Sequence, residues 1–217
     1  MIDKQPAVSA ASFHELLQEG DMPGHEKRLL SASLKAFTEV GYLDTTVDEI
    51  VAAARASKST FYKIFRNKEA VLIRILHLLM NMLIRKVEDS LRSHPPTSKR
   101  TYHAIQTYIN TCFQYKEVAK LLLVDTVGVA PALEATRFQF HRYFFNIFQR
   151  EITQTCRQKN LDVPDPWVLS YAMVGAVHEV IIQSLQLDHP SDPDHLAEVL
   201  ETMISRSLRK ETQPAQL

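Results

Sequence analysis

Three observations predict that the chain is all-α. Apolar residues recur at helical rather than alternating spacing, only 5 glycines interrupt them, and prolines cluster between the periodic runs. Hydrophobic residues make up 45% of the 217, enough for a sizeable core, so neither a disordered chain nor a turn-rich β fold fits. The length suits a small module of roughly 50 residues followed by a larger body.

The elements follow in order. Residues 1–24 form an arm with one short helix, since Ser12 and Glu15 have capping-box spacing ahead of Leu16 and Leu17 before Gly20 and Pro23 break the pattern; the arm is expected to be partly disordered. From Glu26 to Val40, Leu30, Leu34 and Phe37 stand at i, i+4, i+7, and Gly41 sits where a helix C-cap belongs. Thr46 and Glu49 open a second helix with Val47, Ile50, Val51 and Ala54 on one face. Ser57 caps a third, with Phe61, Ile64 and Phe65 as its apolar stripe.

Asn67 caps a longer fourth helix beginning at Lys68, which His94-Pro95-Pro96 stops. Pro95-Pro96 is the best internal boundary. Beyond it, helices are expected at residues 98–115, 117–128, 131–159, 166–187 and 193–210, punctuated by Gly128, Pro131, Pro164-Asp165-Pro166 and Pro190 to Pro193. The domain division that follows is a helix-turn-helix module at 25–70, a larger helical domain at 71–210, and a tail at 211–217.

Charge excludes some functions and localises another. Lys plus Arg number 25 against 25 for Asp plus Glu, so any electrostatic footprint for nucleic acid is local. From Arg55 to Glu69 five cations (Arg55, Lys58, Lys63, Arg66, Lys68) face one anion. Cys112 and Cys156 lack the spacing of a metal site and read as thiols of a reducing compartment. No signal-peptide pattern and no run of 18 apolar residues is present, which predicts a cytoplasmic protein with no membrane partner. Neither catalytic motif nor phosphate-cradling loop is seen: Glu-x-x-His pairs, a Walker A lysine, Gly-x-Ser-x-Gly and HExxH are all lacking. No enzyme, cofactor or metal is therefore expected.

Two short helices joined by a turn of three or four residues, behind a longer one, is the geometry that presents a recognition helix to the DNA major groove. Ser59, Tyr62 and Lys63 are placed to reach base edges or phosphates, and Thr46 and Lys68 sit at helix N-termini, which attract phosphate. The competing reading of the lysines is an ordinary solvated face.

These residues carry a family resemblance: Arg28 to Phe37, Gly41-Tyr42, Thr45-Thr46-Val47, Ile50, Ala54, and the run from Ser57 to Glu69. The segment resembles the DNA-binding domain of the TetR (tetracycline-repressor) family. The resemblance implies a homodimeric regulator that binds a palindromic double-stranded DNA operator, with Thr46, Lys58, Ser59, Thr60, Tyr62, Lys63 and Lys68 as DNA contacts. It also implies that a small molecule in the larger domain moves the fourth helix and releases the DNA. Two positions depart from the family: Arg55 and Ser59 stand where it often has Gly. A non-Gly residue at positive φ is strained, so Arg55 bears on the turn geometry.

In the larger domain the aromatics Phe138, Phe140, Tyr143, Phe144, Phe145 and Phe148 suffice for both a core stripe and a ligand wall. The candidate pocket residues are Phe113, His141, Phe144, Phe145, Phe148, Trp167, Tyr171 and His178, with His141, His178 and Glu179 as polar anchors; the plain alternative is that these are core and structural histidines. The stretch Leu121 to Leu133 resembles that of TetR-like regulators responding to fatty-acyl or other hydrophobic ligands, so the implied effector is small and lipophilic. Residues 169–187 are apolar nearly all round. Ala172, Gly175, Ala176, Leu200, Met203 and Ile204 are the candidate dimer interface, the alternative being that both helices close the monomer core. A second functional reading keeps DNA binding but makes the larger domain a dimer or protein-interaction module without a sensor. A cavity in that domain discriminates the two.

Overall fold

The computed structural model describes Leu17 and residues 22–95, 98–160, 165–187 and 192–208. The described residues are helices and their connections: α1 (Gly24–Glu39), α2 (Val47–Ala53), α3 (Lys58–Ile64), α4 (Lys68–Ser93), α5 (Ser98–Gln114), α6 (Lys116–Lys120), a π-helical turn (Leu121–Asp125), α7 (Pro131–Lys159), α8 (Pro166–Gln186) and α9 (Pro193–Ser207). The all-α expectation is met, and the helices start and stop within a few residues of their sequence signals except the one expected at 117–128, where the α-helix stops at Lys120 and a π-helical turn follows to Asp125. Of the expected arm, Ser12, Glu15 and Leu16 lie outside the described residues, while Leu17 is helical and buried. The tail also lies outside them.

Local chemistry sets the boundaries. Glu49 N–H donates to Thr46 Oγ1 while Thr46 N–H donates to Glu49 Oε2, a complete capping box on α2. Thr60 N–H donates to Ser57 Oγ and Ala70 N–H to Asn67 Oδ1, opening α3 and α4. Gly41, at φ 103, ends α1 in a conformation that side-chain-bearing residues rarely adopt. Asp165 and Asp192 cap α8 and α9, each followed by proline in the first turn.

The chain divides into two compact units, each discontinuous in sequence. The first comprises the residues up to Met82 together with Thr111–Phe138; the second comprises Leu83–Asn110 and Gln139–Leu217. The whole of 25–70 falls in the first, and the division lies inside α4, α5 and α7 rather than at Pro95.

In the first unit Leu30, Leu34 and Phe37 of α1 pack with Ile50, Phe61 and Leu72 at 0–3% exposure. Fully burying such side chains stabilises the fold by about 1.5–3 kcal/mol each. Glu26 and Arg74 join α1 to α4 by an ion pair at 3.1 Å, and α6 packs on α1. The sequence did not signal the π-helical turn. Thr126 N–H and Oγ–H both donate to the Leu121 carbonyl, at 3.1 and 2.8 Å. Arg137, buried, then donates through Nε to Leu122 O (2.8 Å), through Nη2 to Thr126 Oγ1 (2.6 Å) and through Nη1 to Glu134, whose carboxylate also accepts from Gly128 N–H. A buried guanidinium is tolerated when its donors are met in this way.

In the second unit Tyr143 donates to Glu88 (2.8 Å) and Gln106 to Asp194 (2.7 Å), tying α7 to α4 and α5 to α9. Met173, Val177, Ile181 and Leu185 of α8 are buried with Ala197, Leu200 and Ile204 of α9. Of the described helices, α8 is long and apolar enough to cross a membrane by length and composition.

Candidate functional site

Two regions carry the candidate residues. In the first unit, α2 and α3 form the helix-turn-helix, joined through Arg55. Its φ of 48 places a non-glycine residue in the left-handed region that the sequence flagged as strained. Ser59, Tyr62 and Lys63 project from α3 into solvent, with Tyr62 55% exposed, while Phe61 and Phe65 hold the helix to the core. A ring exposed to that extent opposite a buried stripe is available to a groove. Arg55 and Arg66 are exposed as well.

Four predicted contacts turn out to be engaged within the protein. Thr46 Oγ1 serves the capping box, and the Thr46 backbone N–H holds the Glu49 carboxyl below its ordinary range. Lys58 Nζ lies 2.7 Å from Asp48 Oδ1, a hydrogen bond that holds its ammonium above its ordinary range. Lys68 Nζ donates to the carbonyls of Tyr42, Leu43 and Thr45 at 2.7, 2.7 and 2.8 Å and stands 4.8 Å from the Tyr42 ring centroid. Its three N–H donors thus fasten the α1–α2 turn to the start of α4. Thr60 N–H donates to Ser57 Oγ, and the two hydroxyls share a hydrogen bond at 2.9 Å. Sequence charge counting missed Asp48, because it lies on the preceding helix.

The second unit holds a cavity of about 40 Å³. Its lining includes Val87 and Leu91 of α4, Thr101, Ala104, Ile105 and Tyr108 of α5, Phe140, His141, Phe144, Ile147, Phe148 and Glu151 of α7, and Val174, Val177 and His178 of α8. Tyr108 meets Phe144 edge to face at 4.9 Å, and its hydroxyl is 3.4 Å from His178 Nδ1. The His141 and His178 rings stand edge to face at 4.1 Å. At Glu151, Arg100 brings Nη2 to 3.4 Å and Nε to 3.3 Å, and Arg150 Nε lies at 3.6 Å.

Four expected pocket residues, His141, Phe144, Phe148 and His178, line this cavity. The other four do not. Phe113 belongs to the first unit. Phe145, Trp167 and Tyr171 stack on one another instead, with Phe145 and Tyr171 3.9 Å apart and Trp167 55% exposed. Glu179, the third expected anchor, is exposed and accepts from Gln183. The α5 wall was unforeseen, although Thr101, Ala104, Ile105 and Tyr108 stand at i, i+3, i+4, i+7 and could have signalled it.

The expected dimer residues also divide. Ala172, Gly175 and Met203 are exposed and Ala176 is half-buried, on a face continued by Val168 and Val199. Leu200 and Ile204, at 5% and 2% exposure, point into the monomer core and are corrected to core residues. On α9 Met203 stands on the exposed face and Leu200 and Ile204 on the buried one, and the apolar spacing alone did not separate the two faces.

Comparison with known proteins agrees with this arrangement. Residues 29–75 match the family model of bacterial regulatory proteins, tetR family. The HTH-type transcriptional regulator YhgD of Bacillus subtilis is 21% identical over 183 residues, covering 84% of this chain and 96% of that protein. Among solved structures, the transcriptional regulator FadR from Bacillus subtilis in complex with stearoyl-CoA aligns with a TM-score of 0.74 at 16% identity, over 84% of this chain and 98% of that one. The TetR family transcriptional regulator PfmR from Thermus thermophilus aligns at 0.65 and 19% identity, over 84% and 100%. Residues 29–75, which hold the helix-turn-helix and its exposed recognition helix, are thus a DNA-binding domain of the tetR type, and the chain as a whole has the fold of these regulators.

Proposed function

We propose that the chain is an effector-responsive repressor: as a cytoplasmic homodimer it occupies a two-fold-symmetric operator through α3 and leaves it when a lipophilic small molecule enters the second unit. The observation that carries the sensing half is the apolar cavity among α4, α5, α7 and α8. Stearoyl-CoA in the similar FadR fold supports a ligand with a long apolar chain. The homodimer is supported by the exposed apolar strip of Val168, Ala172 and Gly175 on α8 with Val199 and Met203 on α9, which suits an isologous contact and accounts for an exposed hydrophobic helix without a membrane.

A regulator without a sensor is the second reading, and one observation favours it. At about 40 Å³ the cavity has room for roughly three waters. A ligand must therefore widen it, as rotamer shifts of Phe144 and Phe148 would.

Sedimentation of the full chain with labelled DNA from upstream of its own gene, across a range of salt, tests the core reading. Specific, salt-sensitive binding by a dimer is expected, with half-sites about 34–36 Å apart or a multiple of that. Tyr62→Ala should lose that binding while keeping the wild-type melting temperature. A monomer indifferent to this DNA overturns the reading.

A further inference from the structure

Resting on the DNA-binding reading above, we infer that Arg55 and Arg66, standing beyond the two ends of α3, are the guanidiniums that grip the phosphate backbone on either side of the groove that α3 enters. The distribution of charge around α3 carries this. Five cations run from Arg55 to Lys68. Lys58 is paired with Asp48, and Lys68 gives its donors to three carbonyls. Among the described residues the side chains of Arg55, Lys63 and Arg66 make no hydrogen bond or ion pair, and all three are exposed. The positive charge left for phosphates is therefore on Lys63 of the helix and on the two arginines that flank it.

Backbone conformation singles out Arg55. At φ 48 it occupies the left-handed region, which strains most residues that carry a Cβ. The other left-handed positions among the described residues are Gly41, Gly128 and Asn160, residue types that adopt it readily. Strain that persists where glycine would relieve it points to a use for the side chain, and a guanidinium suits a bidentate phosphate contact. Arg66 is aimed by its neighbour. Phe65 is buried and extended, at φ −126 and ψ 128, so the next side chain leaves on the opposite side, into solvent. The seven residues of α3 span about 10 Å, close to the roughly 12 Å of the major groove, so a long side chain beyond each end meets the phosphate edges.

The test uses the full chain and a short random-sequence duplex, titrated by fluorescence anisotropy at several salt concentrations, since phosphate contacts are read in the slope of affinity against salt. Arg55→Ala and Arg66→Ala are each expected to lower that slope by about one, and the double variant by about two. Arg55→Gly shares the loss of charge and relieves the strain, so it should lower the slope as Arg55→Ala does while raising the denaturant midpoint. Its weaker binding then cannot come from unfolding. Arg142→Ala removes the same charge from an exposed position of α7 and is expected to leave the slope unchanged. A wild-type slope in Arg55→Ala or in Arg66→Ala overturns the inference and leaves DNA binding intact. An equal fall in Arg142→Ala also overturns it, by assigning the effect to the charge of the whole chain. Wild-type protein that binds the duplex at no salt concentration overturns the DNA-binding reading itself.

Discussion

Lys58 of the recognition helix is held by Asp48 of the preceding helix, Nζ to Oδ1 at 2.7 Å, with both side chains mostly exposed. The carboxylate offsets the positive charge that Lys58 alone would bring to a phosphate. Asp48→Asn is expected to strengthen binding to DNA of any sequence and to steepen the salt dependence by about one counterion. Filter binding at several salt concentrations checks this, and an unchanged slope would mean that Lys58 does not face the backbone.

Lys68 is expected to act on the fold before it acts on DNA. With its three N–H groups on the Tyr42, Leu43 and Thr45 carbonyls, Lys68→Met should lower unfolding free energy by about 2 kcal/mol. Lys63→Ala, whose side chain is exposed, should leave stability unchanged and lower the salt slope by about one. Denaturant titration beside DNA titration separates the two lysines.

Arg55 stores backbone strain in the turn between α2 and α3. Arg55→Gly should raise stability by about 1 kcal/mol, because glycine takes φ 48 without a Cβ clash. Arg55→Ala deletes the same charge and keeps the strain, so it should not stabilise. Equal effects of the two would show that the charge, not the backbone, governs the change.

Arg137 fastens the π-helical turn to the start of α7. Arg137→Met leaves the Leu122 carbonyl and the Thr126 hydroxyl without their buried donor, a loss of about 1–3 kcal/mol. A lower denaturant midpoint at an unchanged slope is the expected signature.

Gly175 and Leu200 separate the proposed dimer face from the core. A Cβ built on Gly175 meets no neighbour within 4 Å in the monomer, so Gly175→Glu should fold normally yet sediment as a monomer at concentrations where the wild type pairs. Leu200→Ala should instead cost about 2–5 kcal/mol of stability, as expected for a leucine buried in the core. A stable Leu200→Ala monomer would return that residue to the interface.

The helices and the helix-turn-helix were legible in the sequence because their causes are local. Thr46 with Glu49, Ser57 with Thr60, Asn67 with Ala70 and Gly41 after α1 act within four residues of the ends they define, and Leu30, Leu34 and Phe37 announce their buried face by spacing alone. The engagement of a charge is not local. Lys68 reaches back more than twenty residues to its carbonyls, and Lys58 finds Asp48 across the turn, so a count of the charges from Arg55 to Glu69 shows neither partner.

The same limit explains the larger body. An apolar stripe tells a helix to bury a face, but not against which neighbour, so Phe145, Trp167 and Tyr171 read like His141 and Phe148 although they stack away from the cavity. Sequence by itself determined an all-α chain with capped helices and an exposed recognition helix, since period and caps are properties of short segments. Tertiary structure alone decided which lysines have partners within the protein, which half of α9 is core, and where the cavity lies. Those depend on which surfaces meet, and contact between distant segments leaves no periodic mark in either one.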